Sequence, residues 1–281
     1  MRTEVVDAPI RELARAKVNL TLHVTGRRPD GLHMLDSLVV FADLGDVVEV
    51  EAGSRLSLAI GGPFGSGIGA TPDNLVLRAA RHLGVSGALR LTKALPVSSG
   101  IGGGSADAAA TIRAMSRLHG LTLPAAADLT RLGADVPVCL ASVPTRMRGI
   151  GEVLQPVPTL PPVWLVLVNP GVGMATPAVF ARLDHADNAP MDMPDSFGDF
   201  DGFVKWLTRQ RNDLQFPAEQ LSPVIGEVLT ALNQDAPFAR MSGSGATCFG
   251  LYAEQAAALR AADRVRHAHP GWWVAAAPVG R

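Results

Sequence analysis

From Gly100 to Gly104, four of five residues are glycine, and the small residues Ser105, Ala106, Asp107 and Ala108 follow at once. Glycine lets a backbone turn sharply and lets its N–H groups approach a ligand closely. A helix N-terminus adds unpaired N–H groups and a partial positive charge. A glycine run leading straight into a helix is therefore chemistry for holding phosphate. The serine pair Ser98 and Ser99, Ser105 at the expected helix start and the alanine-rich first turn all favour that use. A flexible loop ahead of a helix is the plainer reading of glycine density alone.

Two common phosphate loops are excluded. A Walker loop ends in Gly-Lys-Ser or Gly-Lys-Thr, and the nearest lysine here, Lys93, precedes the glycines. A dinucleotide fingerprint needs a third glycine where Ser105 stands, and an acidic partner about 20 residues on. Asp128 has that spacing but lies in a helical pattern.

The elements that must carry this loop follow from periodicity. Ala16 to Val24 alternates apolar and polar residues and reads as a strand. Arg27 to Gly31 is a turn by its Pro-Asp-Gly chemistry. Leu38 to Ala42 and Asp46 to Glu51 read as two strands divided at Leu44 and Gly45. Five glycines between Gly61 and Gly69 form a surface loop that imitates a second phosphate loop. A helix is expected from Asn74 to Leu83, stopped by Gly84, then a short strand from Leu89 to Thr92. The helix after the glycine loop runs from about Ser105 to His119, with Ala108, Ile112, Met115 and His119 on one face. Another is expected from Pro124 to Gly133, and one begins at Pro137.

Past the proline-rich join at Pro156 to Pro162, Val163 to Val168 reads as a buried strand. Asp184 to Asp201 holds six aspartates without EF-hand spacing, so it reads as a solvated loop. Ser222 to Leu232 is a helix, Ala239 to Tyr252 a strand, glycine turn and strand, and Gln255 to Ala268 the last helix. Strand runs followed by helices predict an α+β fold in two domains, 1–155 and 156–281.

Bulk properties narrow the function classes. The 281 residues are 47% apolar, enough for a substantial core, and the net charge of −1 gives no general attraction to nucleic acid or an anionic membrane. Cys139 and Cys248 lack metal-ligand spacing and read as buried thiols of a reduced compartment. Met1 to Ile10 has no hydrophobic signal core, and no run reaches the ~18 apolar residues of a membrane span. A soluble, cytoplasmic protein is expected, without nucleic-acid or membrane partners; a homodimer is admitted but not required.

Three separated segments resemble the GHMP kinases (galactose, homoserine, mevalonate and phosphomevalonate kinases). Ala16 to Leu20 resembles their N-terminal strand motif, the glycine loop their second motif, and Met241 to Thr247 their third, a second glycine loop facing the first. The resemblance implies a two-lobed α+β fold with the active site in the cleft between the lobes. Within the superfamily, Gly26 to His33, Leu132 to Pro137, Asn169 to Gly171, Thr176-Pro177 and Arg211 to Leu214 resemble one branch. That branch phosphorylates 4-diphosphocytidyl-2-C-methyl-D-erythritol on its tertiary 2-hydroxyl, using ATP, in the non-mevalonate route to isoprenoids and terpenoids.

The resemblance assigns roles residue by residue. Asp135 is the base that takes the hydroxyl proton; from spacing alone it could simply cap the helix at Pro137. Lys17 is the catalytic lysine that keeps Asp135 ionised and oriented; an edge-strand lysine reaching solvent is the alternative. Asn19 shares its parity and contacts substrate, unless both face solvent. His33 reads the cytosine edge, Thr176 binds substrate and Phe180 stacks on the base. Leu32 stands where the family carries a stacking tyrosine, so cytosine is expected between a leucine and a phenylalanine. Loss of one aromatic face costs ~1–3 kcal/mol by analogy with nucleic-acid stacking platforms. Pro96, Ser99, Gly100, Gly102, Gly103, Gly104 and Ser105 are the expected ATP contacts, with Lys93 and Asn74 beside them. Lys93 could equally be a solvated strand end. Mg²⁺ is expected with ATP; Ser105 and Asp107 are candidate ligands, although Asp107 also suits a helix N-terminus. Rival readings are another GHMP kinase, a catalytically dead nucleotide sensor and a decarboxylase on this scaffold. The dead sensor predicts loss of Lys17 or Asp135, and both are present.

Overall fold

The structure, a computed structural model, describes residues 8–280. Most of the N-terminal reading of Met1 to Ile10 lies outside those residues. In chain order the elements are β1 (Ile10–Asn19), β2 (His23–Arg27), β3 (His33–Glu51), β4 (Ser57–Gly61), α1 (Leu75–His82), β5 (Ala88–Thr92), α2 (Gly103–His119), α3 (Ala126–Leu129), α4 (Val136–Ala141), β6 (Thr145–Gly149), β7 (Val153–Pro156) and β8 (Trp164–Asn169). There follow α5 (Thr176–Phe180), α6 (Phe200–Leu207), α7 (Gln215–Leu221), α8 (Val224–Leu232), β9 (Phe238–Met241), β10 (Cys248–Tyr252), α9 (Gln255–Ala268) and β11 (Trp273–Pro278). Among the described residues, no helix is long and apolar enough to cross a membrane.

The chain divides into two compact units. Among the described residues, one contains 8–15, 44–95 and 103–141; the other contains 16–43, 96–102 and 142–280. The chain thus passes between units several times, whereas the proline-rich join suggests a single division at 155. Strands β1 and β3 each contribute to both units.

In the first unit, β4 pairs parallel with β5, and β5 pairs antiparallel with the second half of β3. Helices α1 and α4 pack on α2. Helix α1 forms as expected: the Asn74 side chain accepts the Val76 N–H, Val76, Leu77, Ala79 and Ala80 are buried, and Gly84 ends it at φ +70°. Helix α2 begins two residues earlier than expected, at Gly103, and ends before Gly120 at φ +63°. The helix expected from Pro124 to Gly133 shrinks to the four residues of α3.

β3 is one continuous strand of 19 residues, not two. Gly45 does not break it. A Cβ at Gly45 would lie 2.0 Å from the Ala14 carbonyl oxygen, so glycine is there to let two backbones touch.

In the second unit, β11, β8, β10 and β9 form an antiparallel sheet in that order. β8 is central and apolar on both faces, as Val163 to Val168 suggested. Helix α9 buries Ala258, Ala261, Ala262 and Val265 at helical spacing, and with α8 it covers this sheet. Elsewhere in the unit β2 and β6 pair with the first half of β3, and β7 pairs with β6. Arg146 on β6 grips Asp36 on β3 with two bonds of 2.8 and 2.6 Å.

Ala16 to Val24 is not one half-buried strand. β1 stops at Asn19 and β2 starts at His23; both alternating sets, Lys17, Asn19, Thr21 and His23 included, are buried. The chain leaves its neighbour because Leu22 pairs with Asn212 instead, its N–H reaching the Arg211 carbonyl at 2.8 Å. The aspartate-rich segment 184–201 is largely irregular but not merely solvated. Met191 is buried, and Asp199 caps α6.

Candidate active site

Within the second unit the two glycine loops are stitched together. The Ser242 hydroxyl donates to the Gly100 carbonyl at 3.0 Å and accepts the Asn19 N–H at 3.0 Å. The Thr247 N–H donates to the Ser99 carbonyl at 3.1 Å. A Cβ at Gly100 would lie 2.6 Å from the Ser242 oxygen and 2.7 Å from the Gly245 oxygen. Glycine is obligatory there, both for this approach and for φ +76°.

The lysine strand lies alongside. The Lys17 N–H donates to the Ile101 carbonyl at 3.0 Å. A Cβ at Gly102 would sit 3.0 Å from the Lys17 Cβ and 3.4 Å from its Cε. The loop therefore packs along the lysine stem, and Lys17 is only 5% exposed. The snorkelling alternative does not hold.

Asn19 is buried rather than presented outward. Its amide donates to the Ser37 hydroxyl at 2.8 Å. Thr176 meets the third-motif loop, its hydroxyl 2.8 Å from that of Ser244. His33 and Phe180 stack on each other, ring centroids 4.6 Å apart. Burial, and then the Arg27 charge, hold the His33 imidazole below its usual value of 6.5. Leu32, next to His33 in the chain, is 48% exposed. Phe180 already gives one face to His33, so a base held between Leu32 and Phe180 has only the other face to use.

In the first unit Asp135 is half-buried immediately before α4, and its carbonyl accepts the Cys139 N–H at 3.1 Å. Gly103 and Gly104 head α2, whose first N–H groups have no partner within the helix. Asn74 spends its side-chain oxygen on the cap of α1.

Lys93 is neither a solvated strand end nor open to a nucleotide. It is 3% exposed, and its ammonium is shared between Asp46 and Asp107, the latter at 2.7 Å. Burial opposes its charge, but the two carboxylates outweigh it and raise its pKa. Asp107 is correspondingly a poor magnesium ligand. Its Oδ2 serves Lys93 and its Oδ1 is buried without a hydrogen bond. No cluster of three His, Cys, Asp or Glu side chains able to hold a metal occurs among the described residues.

Sequence reasoning missed several supports. Asn212 donates to the carbonyls of Met241 (2.8 Å) and Gly243 (2.9 Å), pinning one glycine loop. Asn169 donates to the Thr247 hydroxyl at 2.9 Å. Both lie in segments recognised as family marks, but a buried amide has no periodic signal to reveal its partner. Both cysteines are buried, as expected, and neither is in a disulfide.

Residues 74–150 match the model of the GHMP kinases N terminal domain, and residues 194–271 that of the GHMP kinases C terminal. A 4-diphosphocytidyl-2-C-methyl-D-erythritol kinase of Cereibacter sphaeroides is 57% identical, over 93% of this chain and 96% of its own. One of Ruegeria pomeroyi is 56% identical, over 95% and 98%. Among solved structures, 4-(cytidine 5'-diphospho)-2C-methyl-D-erythritol kinase matches with a TM-score of 0.75 and 34% identity, over 96% of this chain and 99% of its own. Homoserine kinase from Cytophaga hutchinsonii shares the fold, with a TM-score of 0.67 at 17% identity over 99% and 97%. With its α+β architecture, two glycine loops and matches along nearly its whole length, the chain belongs to the GHMP kinases, within the family of 4-diphosphocytidyl-2-C-methyl-D-erythritol kinases, and is a small-molecule kinase.

Proposed function

We propose that this kinase transfers the γ-phosphoryl group of ATP to the 2-hydroxyl of 4-diphosphocytidyl-2-C-methyl-D-erythritol. The observation that carries the substrate is the 57% identity to a relative named for it, over almost the full length of both chains. Phosphoryl transfer asks mainly for positioning and charge stabilisation. The glycine loop suits that task. The partnerless N–H groups at the first turn of α2 suit phosphate oxygens, and Gly100 and Gly102 let the preceding backbone pack closely. Pro96, Ser99 and Ser105 line the same stretch of chain. Asn74 and Lys93 act through the backbone they fix.

Asp135 accepts the hydroxyl proton as oxygen attacks phosphorus, and Lys17 offsets the negative charge that develops. Asn19, Leu32, His33, Thr176 and Phe180 receive the acceptor, the stacked pair meeting the cytosine. Of the two candidate ligands, Asp107 does not fit a protein-held Mg²⁺, because its Oδ2 is committed to Lys93 and its Oδ1 is buried; Ser105 is the side chain left to hold it. Mg²⁺ would arrive with ATP and neutralise charge on its phosphates.

The test is ADP release by the purified chain with Mg-ATP, with and without the diphosphocytidyl alcohol. Release that depends on the alcohol supports the assignment. Turnover only with homoserine or mevalonate transfers it to a sister kinase, and binding of ATP without turnover of any alcohol favours a sensor.

A further inference from the structure

We propose that Asp46, Lys93 and Asp107 form a buried clamp on the two ends of the glycine loop, and that all three are positioning residues for the phosphoryl donor. The proposal rests on reading this loop as the ATP site.

The geometry lies within the first unit. Asp46, on β3, accepts three donors with one carboxylate: the Lys93 ammonium, the Ala94 N–H at 2.6 Å and the Leu95 N–H at 2.8 Å. It thereby holds the last residues before the loop. The Lys93 ammonium reaches on to Asp107 at 2.7 Å, one turn into α2 and just past the loop. A single ion cluster thus ties residues 93–95 to residue 107, and the chain between them carries the glycines.

Two further contacts aim the cluster at the loop. A Cβ at Gly103 would lie 3.4 Å from the Lys93 Nζ and 3.6 Å from the Asp46 Oδ2, so the first turn of α2 rests directly on the charges. On the other side, the Lys93 N–H donates to the Gly61 carbonyl at 2.9 Å, and its carbonyl accepts the Phe64 N–H at 3.2 Å. The glycine-rich loop at 61–69, which imitates a phosphate loop in sequence, instead braces the backbone of Lys93.

The charges are buried, so their geometry is tightly coupled. Removing one member of a buried ion cluster leaves another uncompensated, and the surroundings must rearrange. Burial pushes the Asp107 carboxyl up to about 7, against the pull of Lys93 and with the help of Asp46. A cluster so balanced holds its shape only while all three members are present. Backbone N–H groups grip phosphate well only when already aimed at it. Loosening either end of the loop therefore weakens nucleotide binding and leaves the acceptor untouched.

The experiment compares the full chain with its Asp107→Asn, Lys93→Met and Gly103→Ala variants. It measures KM for ATP, KM for the diphosphocytidyl alcohol, direct binding of a fluorescent N-methylanthraniloyl ATP, and the circular dichroism melt. Asp107→Asn is nearly isosteric and leaves the Asp46–Lys93 pair in place; Gly103→Ala changes no charge. The expected result is a rise of tenfold or more in KM for ATP and in the analogue's Kd for Asp107→Asn and Lys93→Met. A smaller rise is expected for Gly103→Ala, with KM for the alcohol unchanged within twofold in all three. An ATP KM within twofold of the parent in folded Asp107→Asn overturns the clamp. So does a loss shared equally by both substrates and proportional to the unfolded fraction. A parent chain that fails to bind the analogue overturns the nucleotide reading itself, and the clamp with it.

Discussion

The rings of His33 and Phe180 lie 4.6 Å apart and within 23° of parallel. A residue expected to read a base and a residue expected to stack on it already stack on each other. The pair makes one pre-formed platform, and the preceding residue, Leu32, is exposed. Aromatic stacking on a base contributes ~1–3 kcal/mol, a factor of about 5 to 150 in affinity. Phe180→Ala should raise KM for the cytidine substrate by that factor without changing KM for ATP. Leu32→Tyr should lower it. An unchanged substrate KM in both variants removes the platform from base recognition.

Asp135→Asn and Lys17→Met separate chemistry from binding. A general base contributes typically 10²–10⁴ in rate, so kcat should fall by about that factor in Asp135→Asn while both KM values stay within a few-fold. Asn keeps the size of the side chain and the position before α4, so folding should survive. Lys17→Met should lower kcat comparably, with its stem still packed along Gly102. Steady-state kinetics with both substrates varied provide the check. Retention of a tenth or more of parental kcat in Asp135→Asn removes it as the base.

Much of this molecule was legible in its sequence, and the misses have physical causes. Periodicity found α9 at its observed limits and β8 within a residue, because long amphipathic and continuous apolar patterns are hard to imitate. Short β6 alternates buried Thr145, Met147 and Gly149 with two arginines over only five residues, too few for a pattern. Helix α6 was hidden behind the aspartates that precede it, one of which, Asp199, is its cap. At the site, glycines announced the loops, but nothing local announced their partners. Lys93 looked like a strand end because Asp46 lies 47 positions away. Charge pairing across the fold leaves no trace in spacing.

Gly45 offers a sharp test of how backbone contact, rather than flexibility, selects glycine. No side-chain rotamer relieves a Cβ placed 2.0 Å from the Ala14 oxygen; one of the two backbones must move. Gly45→Ala should lower unfolding free energy by about 3 kcal/mol, the upper end for overpacking. Gly61→Ala is the internal control, since nothing lies within 4 Å of its Cβ position; its change should stay within about 0.5 kcal/mol. Denaturant melts of the two variants side by side decide the matter. Equal, small effects would mean that the strand tolerates a side chain there.

The pH dependence of substrate binding should report His33. Burial and the neighbouring Arg27 charge disfavour its protonated form, so its pKa lies below 6.5 and the ring is neutral at pH 7. A neutral imidazole offers one donor and one acceptor to a base edge, whereas the protonated ring offers only donors. KM for the cytidine substrate should therefore be flat from pH 7 to 8 and rise as pH falls through the lowered pKa. The sign follows from which form binds: acid adds the proton that removes the acceptor. His23 is also held below its usual value, by burial and then Arg211, so a second histidine has to be told apart from His33. His33→Gln separates the two. Its substrate KM should be higher throughout but should lose the acid inflection. An inflection that persists unchanged in His33→Gln assigns the titration elsewhere and removes His33 from base recognition.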